Sequence, residues 1–176
     1  MGVKAGYKQT EVGVIPEDWG IAVVGDVAEV KTGPFGTALH ERDYANVGTP
    51  IITVEHIGER GVIYVNLPLV SDADRIRLKA YALRQGDIVF SRVGSVDRNA
   101  LIGLAEDGWL FSGRLLRVRP YIEKINSHYL SYHFHSEGFK QRIRNAAVGQ
   151  TMASINTQIL MSMKAAFPPT KAEQQA

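Results

Sequence analysis

The stretch SRVGSVDRN, Ser91 to Asn99, sets Arg92, Ser95, Arg98 and Asn99 around a tight turn. An arginine fork can hold guanine O6 and N7, or a phosphate, through two parallel hydrogen bonds, and asparagine can do the same for adenine N6 and N7. VEHIGER adds Glu55, His56 and Arg60, and a glutamate can accept from cytosine N4. VGQTMASIN adds Gln150, Thr151, Ser154 and Asn156, short polar side chains beside a glycine. KTGPFGTALH adds Lys31, Thr32, Phe35, Thr37 and His40, where Phe35 suits a thymine methyl and a protein core equally. Any one of these stretches is also an ordinary turn. Four of them together favour a surface that touches bases and phosphates.

Charge distribution points the same way. Residues 1–74 hold five Lys and Arg against eleven Asp and Glu, a net of −6, whereas residues 75–176 hold fifteen against seven, a net of +8. Such asymmetry suits a basic face meeting a polyanion, although a solvated face balanced in space by the acidic half fits as well.

Catalytic constellations are scarce. His40, His56, His128, His133 and His135 show no metal-binding spacing. TGPFG lacks the spacing of a phosphate-cradling loop, and no serine sits in a GxSxG elbow. One enzyme alternative exists. Asp18, Glu29 and Lys31 loosely echo a Mg²⁺-dependent nuclease, which needs carboxylates on a hard cation and a lysine by the attacked phosphate. A basic protein-interaction module docking an acidic partner is the second alternative.

The elements that must position these loops are strands and helices without strict alternation, hence an α+β fold. Strands are expected at GIAVV, TPIITV, GDIVFSRVG, NALIGLA and GRLLRVRP; in the last, Leu116 and Val118 share one face and Arg117 and Arg119 the other. GDVAEV reads as a short capped helical turn, and SDADRIRLKAYAL as a helix capped by Ser71. Two more helices are expected near Ser127–His135 and Glu137–Ala147. The 176 residues fit one domain, and the 45% hydrophobic share is ordinary for a globular protein. No apolar run reaches membrane-span length, the polar start is unlike a signal peptide, and no cysteine is present, so a cytoplasmic protein with no membrane partner is expected. At the end, two prolines and Thr170 open a helix, with Glu173 where a capping-box partner belongs.

In order along nearly its whole length, the chain resembles the specificity subunits of type I restriction-modification systems. VGVIPEDWGIAVVGDVAEVKTG is similar to that family's opening, LRQGDIVFSRVGSVDR to its central motif, and LLRVRP to the strand that follows. VGQTMASIN and FPPTKAEQQA resemble its later segments. Gly20 replaces a larger residue. Asp97 stands where a glycine is usual, so its turn either keeps the family geometry or has joined the recognition surface.

The resemblance implies a target recognition domain over residues 1–167, with a mixed, strongly curved β-sheet and flanking helices. Residues 168–176 would begin a truncated spacer helix. It further implies a non-catalytic, DNA-binding component that recognises one half of a bipartite target in double-stranded DNA; the start at Met1 favours the first of the subunit's two such domains over the second. Modification (methyltransferase) subunits, and a restriction subunit through the complex, would be its partners. S-adenosylmethionine, ATP and Mg²⁺ would then belong to those partners, with no cofactor here.

Overall fold

The computed structural model describes residues 2–34, 38–59, 61–149 and 151–176. A hairpin opens the chain, β1 (Tyr7–Thr10) against β2 (Gly13–Pro16). Next come β3 (Gly20–Val23), α1 (Val24–Val27) and β4 (Ala28–Thr32). Short strands follow: β5 (Tyr44–Ala45), β6 (Thr49–Ile52), β7 (Ile57–Gly58), β8 (Gly61–Val62) and β9 (Leu69–Val70). Then α2 (Asp72–Arg77) leads to β10 (Ile88–Ser91), β11 (Asn99–Leu101), β12 (Leu110–Phe111) and β13 (Leu115–Pro120). The last part carries α3 (Ser127–Phe134), α4 (Glu137–Ala146), α5 (Thr157–Ser162), β14 (Lys164–Phe167) and α6 (Lys171–Gln175).

The fold is α+β with flanking helices, as expected, and its strands divide among separate sheets. One sheet runs β11-β10-β13-β4, antiparallel throughout. A second runs β12-β6-β9-β5, with β12 parallel to β6. The first sheet is covered on both faces. Ile88, Phe90, Leu116 and Val118 meet Leu130, Phe134, Phe139 and Ile143 of the helices in one core. Val89 and Leu115, of opposite parity, meet Ile52 and Phe111 of the second sheet in another. Burial of the helix pair follows from Phe139 and Ile143, one turn apart on α4.

Three local expectations need correction. In GDVAEV the helix stops at Val27, because Ala28 to Thr32 pair with β13 from Pro120 back to Leu116. The helix begun at Ser71, whose Oγ accepts from Asp74 N at 3.2 Å, ends at Arg77. There the chain turns so that Leu83 enters the inter-sheet core and its amide reaches Trp109 O at 2.7 Å. NALIGLA is extended only through Leu101 and then forms a 3₁₀ turn.

The predicted polar face of β13 is not wet. Arg117 is only 2% exposed, lying between the sheets. Its guanidinium donates to Glu29 Oε1 at 2.7 Å and to Ala80 O and Ala82 O at 3.3 Å, over the Phe111 ring. Burial holds its pKa below the usual arginine value, with the neighbouring Arg119 charge acting in the same sense. Arg119 joins Asp87 through two bonds of 2.8 Å, which raise its pKa.

Candidate nucleic-acid interface

Backbone bonds zip the predicted loops into one rim. Gly94 N donates to Ala153 O at 2.8 Å and Ile155 N to Arg92 O at 2.8 Å, so residues 92–94 lie against residues 153–155. Arg92 N donates to Arg114 O at 3.0 Å, and its side chain to Gly113 O at 3.3 Å, adding the turn before β13. That turn meets the loop after β4. Gly33 N donates to Leu115 O at 3.2 Å, and a Cβ at Gly33 would sit 1.9 Å from Ser112 O, so only glycine allows this approach. Gly149, at φ +114°, likewise has no room for a Cβ beside Met152 O.

Along this rim Ser95, Arg98, Arg114, Thr151 and Asn156 are exposed, and Ser154 is half-buried. Among the described residues, neither Arg98 nor Arg114 makes an ion pair; their guanidinium groups face water. Asn156 keeps only part of its amide for a ligand, because its Oδ1 caps α5 at Ile159 N, 2.8 Å away. Beside the Arg114 turn opens a cleft of about 550 Å³, lined by Glu41, Tyr44, Thr53, Glu55, Ser112 and Arg114. Glu55 is two-thirds exposed in it. The Tyr44 hydroxyl is pushed above its ordinary pKa by burial and then by Glu41, with the Arg114 charge opposing. Carboxylates, a phenol that stays protonated and a guanidinium thus share one concave wall. That set offers both donors and acceptors to a base edge.

Other predicted residues stand elsewhere. His56 is fully buried. Its Nδ1 accepts from Thr53 N at 3.0 Å and its Nε2 faces Val65 O at 2.9 Å, which fixes the neutral tautomer with the proton on Nε2. Asn99 is buried too, donating to Asp97 O and Phe134 O. Neither reaches a base edge from there; both hold loops in place. Lys31 points its ammonium at Ala80 O, 3.1 Å away and over the Tyr81 ring, on the Arg117 side of the sheet. Thr32 is half-buried at the end of β4, and the half-buried His40 begins a 3₁₀ turn whose Asp43 carboxylate accepts from His40 N at 2.8 Å. Phe35, Thr37, Arg60 and Gln150 lie outside the described residues. Asp97 bonds Arg144 of α4 at 2.7 Å, so its carboxylate ties the 92–98 turn to a helix.

The nuclease alternative loses its lysine and a carboxylate. Glu29 is held by Arg117 and Lys31 by Ala80 O, and among the described residues no three His, Asp or Glu side chains gather as metal ligands. Arg114 and Tyr44 were not singled out from the sequence. A Ser-Gly-Arg turn opening a strand was the available signal for Arg114, matching the arginine-glycine turn at Arg92; Tyr44 had none.

Among the described residues, no helix is long and apolar enough to cross a membrane. The chain is 32% identical over 175 residues to a Methanocaldococcus jannaschii protein that carries the name of a type I restriction enzyme MjaX specificity subunit, covering 96% of this chain and 40% of that one. It is 22% identical to the same organism's type I restriction enzyme MjaVIII specificity subunit, covering 92% and 38%. This chain therefore spans about two fifths of the length of both relatives. Two solved structures share the fold. The S subunit of a type I restriction-modification system from M. genitalium aligns with a TM-score of 0.63 at 14% identity, over 90% of this chain and 36% of that one. The HsdS subunit from Thermoanaerobacter tengcongensis gives 0.64 at 15%, over 97% and 37%. Residues 16–176 match the family described as "Type I restriction modification DNA specificity domain", and the chain belongs to that family.

Proposed function

We propose that residues 1–167 form the target recognition domain of a type I specificity subunit and that residues 168–176 begin its spacer helix. The domain recognises one half of a bipartite sequence in double-stranded DNA. It brings modification subunits, and through the complex a restriction subunit, to that target in the cytoplasm. It performs no catalysis itself; S-adenosylmethionine, ATP and Mg²⁺ act on the partners.

The observation that carries this reading is the rim. Loops far apart in sequence are joined by backbone bonds, and the joined edge presents Arg98 and Arg114 to solvent beside the Glu55–Tyr44 cleft. Within it, Arg98 and Arg114 contact guanine edges or phosphates, and Glu55 and Tyr44 face base edges in the groove. Thr151, Ser154, Ser95 and Asn156 supply shorter contacts; Phe35, Thr37, Arg60 and Gln150 remain candidates for DNA contact on their residue types alone. The test is to assemble the full-length subunit with its modification partners and sequence the methylated adenines. Arg114→Ala or Glu55→Gln should relax base preference in one half of the motif and leave the other half intact. Equal loss in both halves would remove the assignment.

A further inference from the structure

We propose that Asp97 and Arg144 are positioning residues for target recognition: their ion pair fixes the root of Arg98 against α4, so that this arginine meets its base from a preset position. This inference rests on the rim reading above.

Arg98 is exposed, but the chain on either side of it is held. Val96 is 2% exposed and packs in the core with the helix pair. Asn99 is buried and donates to Phe134 O, at the end of α3, at 3.4 Å. Arg98 itself uses both backbone groups, its N donating to Ser95 O and its O accepting from Ser91 N, each at 3.1 Å. Next to it, the Asp97 side chain leaves the turn. Its Oδ2 accepts from Arg144 Nη1 at 2.7 Å, and its backbone O accepts from Asn99 Nδ2 at 3.2 Å. A glycine at position 97 could make no bond to Arg144, and the turn would then rest on Val96 and Asn99 alone.

Arg144 is a fixed partner. Its Nη2 donates to Glu137 Oε1 at 2.7 Å and to Gln141 Oε1 at 3.0 Å, both on α4, which sets the guanidinium before Asp97 adds its bond. The helix is anchored in turn by the buried Phe139 and Ile143. The Asp97 and Arg144 side chains are 23% and 37% exposed, so water screens the pair and its contribution to stability is small. Its consequence is for binding. A long side chain that is ordered only on contact loses its freedom at that moment, and a preset root reduces what must be ordered. A loose root would also let Arg98 reach a phosphate as readily as a base edge, and phosphates carry no sequence information.

The opposite charges of the two residues separate positioning from electrostatics. The test measures the affinity of the full-length subunit with its modification partners for duplexes carrying the motif that the parent methylates. Each duplex is used intact and with either half scrambled, and Arg98→Ala marks the half that this domain reads. Asp97→Asn removes a negative charge and should tighten binding to the scrambled duplex, whereas Arg144→Met removes a positive one and should weaken it. Both should nevertheless lower the ratio of intact to scrambled affinity by about threefold to tenfold, the scale of ordering one long side chain. The double variant should lose no more than either single one, because both remove the same bond. An unchanged or raised ratio in either single variant would overturn the inference. So would loss of all DNA binding together with a lowered unfolding temperature, since the pair would then be part of the frame. Failure of the underlying reading looks different: Arg98→Ala itself would then leave the ratio unchanged for both halves.

Discussion

Two regions of the chain use the same residue types for opposite ends. Between the sheets, Lys31, Arg117 and Arg119 converge on the carbonyls of Ala80 and Ala82, with Glu29 and Asp87 as counter-charges. On the rim, Arg98 and Arg114 carry their charge in water with no ion pair among the described residues. The first set is frame; the second is available to a ligand. Net charge therefore overstates the surface available to DNA, because part of the basic half neutralises the protein's own carboxylates and carbonyls.

The largest effect should come from breaking the frame. Arg117→Ala leaves a cavity between the sheets and removes a donor from two carbonyls, and should lower stability by about 2–4 kcal/mol. Arg117→Met should recover most of that loss, since an apolar side chain of similar length avoids burying a charge. Thermal unfolding of both variants checks it. A full-size loss in Arg117→Met would mean that the ion pair, not the filled space, holds the layers.

Acid should also act on the frame before the rim. His133 lies between Tyr129 and Phe139 with Nε2 sealed from solvent, and burial pulls its pKa down to about 4, with Arg142 contributing. Above pH 6.5 the imidazole is neutral whether folded or unfolded and contributes nothing to pH dependence. As pH falls from about 6.5 to about 4, the unfolded chain takes up the proton and the folded one resists. Stability should drop by roughly 2–3 kcal/mol over that window. In His133→Phe this part of the loss should vanish; an unchanged pH profile would place the titration elsewhere.

Rim substitutions should do the reverse. Arg98→Ala and Arg114→Ala should each cost ~1–3 kcal/mol of affinity for the cognate half-site and leave stability within about 0.5 kcal/mol. The smallest effect on DNA should come from Lys31→Ala. Its loss belongs to the Tyr81 contact and should appear as about 0.5–1 kcal/mol of stability. Comparing the three variants on matched and scrambled duplexes sharpens the distinction, and a uniform affinity loss in Lys31→Ala would return that residue to the interface.

Period and caps made much of the frame legible in the sequence. The alternation of LLRVRP, the Ser71 and Thr170 caps and the Phe139–Ile143 pair each mark an element that formed. What alternation could not tell was whether the polar face of β13 met water or another layer, since that depends on a sheet built from distant strands. The same limit applies to the site. Residue type marked Arg98 and Glu55, but also His56 and Asn99, whose polarity serves buried loop contacts. Arg114 and Tyr44 share one cleft because β5, which holds Tyr44, belongs through β9 and β6 to the same sheet as β12, which leads into the Arg114 turn.

Amide chemical shifts, followed while duplex DNA carrying the methylated motif is titrated into the ¹⁵N-labelled chain, test the central claim most directly. Frame and rim are made of different residues, so the two accounts give separable patterns. The account predicts changes concentrated in residues 92–98, 112–114 and 151–156 and around Tyr44 and Glu55, weakening steeply with salt. Changes centred on Lys31, Lys79 and Ala80, with a silent rim, would contradict it.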